Sequence, residues 1–429
     1  MQAVVLAAGL GTRMGNLTSN LPKGLLKVAG REILYRNLKV LQDLGIKEFV
    51  VITNPKYEDV YKKFLNSWKL NYKLVLNKHP ERGNGYSLYL AKDHVNDKFV
   101  LIMSDHIYEE ELLKKAICCE GLIVDKVGAF ISPEEATRVK IKEERVEDIG
   151  KHLNTYDAFD TGLFVLTPEI FKFAEALVNK KSVVELSEVI KEAKVKVCEV
   201  SGYFWMDVDT PEDIKKATKL LIRLSVKSKG DGWISKLLNR KISTRISYFL
   251  VNHFTPNQIT LFTFLFGIFS AVAVWWSIPI AGILYQVSSI IDGVDGEIAR
   301  ASMRTSKLGG YIDSVLDRYV DFAFLFSLAW KIKPSFNMWL VILLAVFGSV
   351  MVSYSTERYK ASFFEDMYQK VPALKFLPGK RDERIFAIMW FCVFNKIKWM
   401  FVFLAVLTNL RVLLTLILAC IHKEKKEKN

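Results

Sequence analysis

Beyond residue 257 the chain is dominated by apolar stretches close to the roughly 20 residues that a helix needs to cross a bilayer. They cover 257–277, 279–299, 309–330, 336–356, 384–396 and 399–421, which makes six predicted spans. The fifth is short, and the break at Asn395–Lys398 permits either two helices or one kinked element. Up to about residue 222 the pattern differs: charged residues interleave with short apolar runs, as in a soluble α/β domain. Between them, 223–232 reads RLSVKSKGDG, a polar, glycine-bearing linker where few contacts are expected to cross. The expected architecture is a soluble α/β domain over 1–222, then an all-α polytopic membrane domain of six transmembrane helices over 257–421.

The net charge of +14 does not point to nucleic acid, because the basic residues gather beside the apolar segments, where they meet anionic lipid or anionic substrates. If all six stretches cross, both chain ends share one side. That side carries Lys236, Arg240, Lys241, Arg245 and many later basic residues, ending with a tail at 422–429 that includes Lys423, Lys425, Lys426 and Lys428. The opposite loops carry only Lys331, Lys333, Lys396 and Lys398, so the positive-inside rule predicts an integral protein of the cell membrane with its N-terminal domain and C-terminus in the cytoplasm. The first residues lack a basic stretch ahead of an apolar run, so no cleaved signal is expected. Within 233–256, Trp233, Ile234, Leu237, Leu238, Ile242 and Ile246 recur at helical spacing with basic residues between them, as in an interfacial helix or a plain amphipathic linker helix. The cysteines, Cys118, Cys119, Cys198, Cys392 and Cys420, show neither metal-ligand spacing nor a secreted disulfide framework; the adjacent pair reads as core filling.

The most informative stretch is 292–317, DGVDGEIARASMRTSKLGGYIDSVLD, which sets Asp292, Asp295, Asp313 and Asp317 at the ends of two predicted spans. Spacings of three and four place each pair on one helix face, and a short turn makes the helices antiparallel, so the four carboxylates can converge. Carboxylates in a low-dielectric site cost several kcal/mol each unless cations accompany them. Hard oxygen ligands suit Mg²⁺ or Mn²⁺, and four carboxylates suit two ions, a recurrent device of phosphoryl transfer. A structural acidic patch or an ion pathway also places carboxylates in a membrane, but neither accounts for Gly296, Gly309 and Arg300 at these spacings.

The pattern Asp292, Asp295, Gly296, Ala299, Arg300, Gly309, Asp313 and Asp317 resembles the full signature of the CDP-alcohol phosphotransferase family. The resemblance covers about 233–421. It implies that the four aspartates bind metal, that Asp317 doubles as general base on the acceptor hydroxyl, and that Gly296, Ala299, Arg300 and Gly309 line the CDP site. Asn257, in TPNQIT, resembles a first-span nucleotide contact. The resemblance also implies a homodimer through the membrane helices. Arg358 and Lys360, after the fourth span, fit either an acceptor phosphate or positive-inside anchoring. Asp321 lies outside the signature and reads as a polar interior residue, and Arg411 has no role in this scheme.

The first half opens with an apolar run, Ala3 to Leu6, followed by AAGLGTRMGNLTSNLPKGLL. A glycine-rich loop straight after a strand offers backbone donors to phosphates, and Arg13 and Lys23 supply the charge a departing pyrophosphate needs. The run Leu6, Ala7, Ala8, Gly9, Gly11, Thr12, Arg13 with Lys23 resembles the sugar-phosphate nucleotidyltransferase superfamily, which implies a Rossmann-like fold over 1 to about 220. By that resemblance Asp105, ending FVLIMSD, and Asp207, in WMDVDTPED, are metal ligands for Mg²⁺ or Mn²⁺. Lys151 holds the substrate phosphate, and Asp160 with Gly162 reads the polyol hydroxyls. Asn84, Gly85 and Ser87 stand where hexose enzymes have a different small run; this form resembles cytidylyltransferases for phosphocholine or inositol phosphate. His79, His106 and His152 look incidental.

Together the halves resemble bifunctional enzymes in which CTP and inositol 1-phosphate give CDP-inositol, which a second inositol phosphate then attacks with release of CMP. Two alternatives remain from the sequence: a phospholipid synthase using CDP-diacylglycerol and a polar alcohol, and a cation transporter with a regulatory nucleotide-binding domain.

Overall fold

The computed structural model describes residues 1–226 and 232–427, the last five of these by backbone alone. Residues 227–231 of the expected linker and the side chains of the basic tail from Lys423 onward lie outside the described residues. The chain divides into two compact units, Met1–Thr218 and Lys219–Asn429.

The first unit is built on β1 (Gln2–Ala7), β2 (Phe49–Thr53), β3 (Tyr72–Leu76), β4 (Phe99–Met103), β5 (His106–Tyr108), β6 (Gly121–Asp125), β7 (Arg138–Lys142), β8 (Arg145–Gly150), β9 (Ala158–Leu166), β10 (Val197–Glu199) and β11 (Trp205–Asp207). Nine of them form one mixed sheet in the order β8-β7-β9-β4-β1-β2-β3, with β6 also on β9 and β10 on β6. The uninterrupted apolar runs of β1, β2 and β4 are buried on both faces, as a central parallel arrangement requires. β1 lies parallel between β2 and β4, with Leu6 opposite both Ile52 and Met103. The chain leaves β1 toward β2 on one side while β4 lies on the other, so the carboxyl ends of β1 and β4 flank the crevice where open α/β sheets bind ligands.

The expectation that Cys118 and Cys119 fill the core is not met. Cys119 forms a disulfide with Cys198, tying the turn after helix Glu110–Ala116 to β10, while Cys118 is exposed. Neither fills the core.

The second unit is helical: α1 (Arg240–Leu250), α2 (Pro256–Ala273), α3 (Ile278–Ala301), α4 (Lys307–Lys331), α5 (Phe336–Phe363), α6 (Arg381–Val393) and α7 (Ile397–Glu427). Among the described residues α2, α5 and α7 are long and apolar enough to cross a membrane. The break near 395 separates two helices, with Asn395 in the left-handed region at φ 55°. TPNQ starts α2 through a capping box, Thr255 N donating to Gln258 Oε1 at 2.9 Å, with Pro256 at the first helical position.

The surface of this unit inverts the usual pattern. Large apolar side chains such as Phe262, Leu265, Phe269, Leu340, Leu343, Leu413 and Leu416 are exposed, whereas several charged groups, Glu297, Asp382, Arg384 and Arg411 among them, are buried. That is the distribution a bilayer solvent imposes. In α1 the polar face turns inward. Ser243 and Ser247, both buried, donate to the two oxygens of the fully buried Glu297 at 2.6 Å each, and Arg240 adds an ion pair at 3.1 Å. Trp233, Leu237 and Phe249 are left exposed.

Candidate active sites

In the first unit the loop after β1 is held from below: Asn54 Nδ2 donates to the Ala8 carbonyl at 2.8 Å, and Thr18 Oγ1 donates to that of Gly11 at 2.9 Å. The segment carrying Lys23 crosses the end of β4 so closely that a Cβ on Gly24 would stand 2.8 Å from the Ser104 carbonyl, which is why glycine follows the lysine. This approach brings Lys23 Nζ to Asp105 Oδ2 at 2.9 Å and into contact with Asp209 Oδ1; Arg13 Nη1 reaches Asp209 Oδ2 at 2.6 Å. Burial would push the Asp105 carboxyl up, but His106 and Lys23 outweigh it and hold it well below the usual carboxylate range.

Asp105, Asp207 and Asp209 face a cavity of about 490 Å³ together with Lys151, Asp160, Gly162, Asn84 and His106. The structure thus brings together most of the expected residues of this half. Ser87 is different, being buried and accepting from Asn77 Nδ2 at 3.0 Å, and Gly85 packs under Val184. Neither borders that cavity. His106 is not incidental: its Nδ1 donates to Asp105 Oδ1 at 2.8 Å, and the residue lies opposite Asp207 in the β5–β11 pair. Its ring fills the space a Gly162 side chain would need, and Gly162 sits at φ +69°, so the glycine serves this close approach. Asp160, whose Oδ1 accepts from Gly162 N at 2.7 Å, is pushed up to about 6 by burial.

In the second unit α3 and α4 bring Asp292, Asp313 and Asp317 together, one carboxylate oxygen of each lying within 4.8 Å of the others. Asp295 lies against Asp313 and accepts from Thr260 Oγ1 at 2.6 Å and from the Gly296 amide. Three convergent hard oxygens are a suitable donor set for a divalent cation. Asn257 Oδ1 faces Gly309 across the first turn of α4, where Ser306 Oγ accepts from Gly309 N at 2.9 Å. Arg300 Nε donates to the Ser225 carbonyl at 2.5 Å.

A residue that the spacing does not reveal completes this cluster. Arg381, the first residue of α6, sets Nη1 2.9 Å from Asp292 Oδ2 and 3.0 Å from Asp317 Oδ2, and its other edge on Asp321. Arg411 also finds its place: buried in α7, it donates to the carbonyls of Leu377 and Pro378 and so fixes the turn ahead of α6. A cavity of about 270 Å³ opens beside Asp292 and Asp317 and is lined by Arg240, Arg318, Lys380, Arg381 and Arg384. Arg358 and Lys360 are exposed and do not line it; Lys360 borders a separate cleft with Lys307 and Tyr354.

Residues 2–223 match the nucleotidyl transferase family and residues 253–417 the CDP-alcohol phosphatidyltransferase family. Relatives named bifunctional IPC transferase and DIPP synthase match almost end to end. Those of Aquifex aeolicus and Thermococcus kodakarensis are each 54% identical over 97% of this chain, covering 97% and 96% of their own lengths. That of Archaeoglobus fulgidus is 48% identical over 99% of this chain and 85% of its own. The chain belongs to this bifunctional family. It is therefore a membrane enzyme with two transferase halves, each of a family that works with divalent metal.

The residues missed from sequence fall into two kinds. Asp209 is the second aspartate of the DVD triplet that holds Asp207, and His106 adjoins Asp105, so each was visible but outranked by its neighbour. Arg381 had only its proximity to a basic cluster before the fifth apolar stretch as a signal.

Proposed function

We propose that the first half joins CTP to inositol 1-phosphate and that the second half consumes the resulting CDP-inositol. In the first step a phosphate oxygen of inositol 1-phosphate attacks the α-phosphorus of CTP and pyrophosphate leaves. Arg13 and Lys23 neutralise the triphosphate and the departing pyrophosphate, and the backbone from Leu6 to Thr12 cradles the phosphates. Asp105 and Asp207, with Asp209 beside them, would hold Mg²⁺ or Mn²⁺. Asn84 turns toward the nucleotide, Lys151 binds the inositol phosphate, and Asp160 and His106 face its hydroxyls.

In the second step a hydroxyl of another inositol phosphate attacks the β-phosphorus of CDP-inositol, and CMP leaves. Asp317 takes the hydroxyl proton. Asp292, Asp295, Asp313 and Asp317 would hold two divalent ions, whose chemistry is to neutralise charge developing on the transferred phosphoryl group. Gly296, Ala299, Arg300, Gly309 and Asn257 border the CDP. The observation that carries this reading is the cationic cavity against Asp292 and Asp317, which suits an acceptor that is itself a phosphate and, unlike a neutral alcohol, requires several cations. We further infer that the soluble domain ends near 222 and that all six helices from α2 to α7, the 13-residue α6 included, cross the membrane with both chain ends cytoplasmic. On the same reading α1 rests its exposed apolar side on the lipid surface, and two copies pair through the membrane helices.

The full chain, purified in detergent with Mg²⁺, CTP and inositol 1-phosphate, is expected to release pyrophosphate and then CMP, with CDP-inositol and a di-inositol product identified by mass. Consumption of CDP-diacylglycerol with no reaction of any polyol phosphate would replace this reading with a phospholipid synthase.

A further inference from the structure

We propose that Asp321, braced by Tyr285, is a positioning residue that fixes Arg381 so that an anionic acceptor docks with its hydroxyl at Asp317; this rests on the phosphotransferase reading above. Asp321 lies one helical turn beyond Asp317 on α4 and outside the metal-binding pattern. It is buried, and both its oxygens are engaged. Oδ1 accepts from the Tyr285 hydroxyl at 2.7 Å and from Arg381 Nη2 at 3.1 Å, while Arg381 Nε stands 3.2 Å from each oxygen.

This arrangement divides the guanidinium. One edge, Nε and Nη2, belongs to Asp321, and the remaining nitrogen, Nη1, is aimed at Asp292 and Asp317 on the cavity wall. Tyr285 cannot swing away, because its ring is buried and stacked on Phe324 with centroids 4.0 Å apart. From the other side the backbone of Arg381 is set by Glu383, whose Oε2 accepts from the amides of Gly379 at 2.7 Å and Lys380 at 3.1 Å. A planar fork anchored along one edge presents the other in a fixed direction, which is what recognition of an oxyanion needs. A counter-charge needed only to bury an arginine would require neither the tyrosine nor the alignment with the triad.

The test uses the full chain in detergent, with CDP-inositol as donor and either inositol 1-phosphate or uncharged inositol as acceptor. Asp321→Asn is expected to raise KM for inositol 1-phosphate by ~10-fold or more, with little change in kcat or in KM for CDP-inositol. KM for inositol should stay near the wild-type value, CTP-dependent pyrophosphate release should be unchanged, and Asp321→Glu should recover part of the loss. In an Arg381→Gln background the further change Asp321→Asn should add nothing. Should Asp321→Asn fail to fold, Tyr285→Phe keeps the ion pair and is expected to raise the same KM by ~3-fold. Equal effects on both acceptors, a loss confined to kcat, or additivity with Arg381→Gln overturns the proposal. Failure of the wild type to release CMP from CDP-inositol overturns instead the reading on which it rests.

Discussion

The two halves collect acid groups around an arginine or lysine in different ways. In the first, Asp105 and Asp209 come from segments a hundred residues apart, and a sheet brings them to Lys23 and Arg13 from a loop near the start of the chain. In the second, Asp292, Asp313 and Asp317 lie on two consecutive helices, and Arg381 arrives from a third. A helix records its own face in its spacing, since residues three and four apart are neighbours, whereas a sheet edge gathers residues whose separation carries no such information. The helical site also lies in an apolar surround, where an unpaired carboxylate is costly, and the sheet site opens to a wider cavity.

If the halves are independent catalysts, their activities separate cleanly. Asp317→Asn is expected to lower CMP release by roughly 10²–10⁴-fold, the usual contribution of a general base, while leaving pyrophosphate release intact. Lys23→Ala should do the reverse, removing pyrophosphate release by about 10²-fold or more and sparing CMP release from supplied CDP-inositol. Pyrophosphate release from CTP and CMP release from supplied CDP-inositol, measured in separate reactions, check this. Parallel loss of both activities in either variant would break the comparison.

The next effect concerns Asp209, which gathers Lys23 and Arg13 much as Asp321 gathers Arg381. Asp209→Asn removes the carboxylate charge shared by two cations and one of its two acceptor oxygens, and is expected to slow pyrophosphate release by roughly 30- to 100-fold, with the KM for CTP carrying most of the change. Faster turnover would instead identify Asp209 as a brake on the two cations.

What the sequence showed follows the same division. The glycine-rich loop with Arg13 and Lys23, and the aspartates at spacings of three and four, are local patterns, and the structure places each on the element expected of it. The strand order was not legible, because β9 runs antiparallel to β4 only as a consequence of long-range pairing. Nor was the Cys119–Cys198 bond, since a separation of 79 residues has no spacing rule. Ser87 and Gly85 resemble ligand contacts in sequence, yet packing against Asn77 and Val184 accounts for them locally. Arg411 had no sequence explanation because its partners are backbone carbonyls of a turn that only the folded bundle brings to α7.

Asp160 supplies a smaller, pH-dependent effect. With its folded pKa pushed up to about 6 by burial, it keeps a proton that the unfolded chain releases near pH ~4. The resulting stability is full below pH ~4 and is lost as pH rises through about 6. Asp160→Asn removes that loss, so thermal midpoints measured without metal or nucleotide should diverge from wild type between pH ~4 and ~6. The variant should gain on the order of 2 kcal/mol relative to wild type at neutral pH. A constant difference across that range would mean that Asp160 is ionised in the folded state at no cost.

The smallest expected effect separates Asp295 from its three companions. Asp292, Asp313 and Asp317 present oxygens to one another, while Asp295, against Asp313, also accepts a hydrogen bond from the Thr260 hydroxyl on the neighbouring helix α2. That bond orients the Asp295 carboxylate but leaves it oxygen enough to serve a cation, so the threonine acts through the aspartate and not on substrate. Thr260→Val keeps the shape of the side chain and removes only the donor, which should lower CMP release by ~3- to ~10-fold and raise the Mg²⁺ concentration needed for half-maximal rate by a similar factor. A lower rate at an unchanged Mg²⁺ requirement would instead assign the hydroxyl to packing between α2 and α3, leaving the metal site of the second half to the three aspartates that already converge.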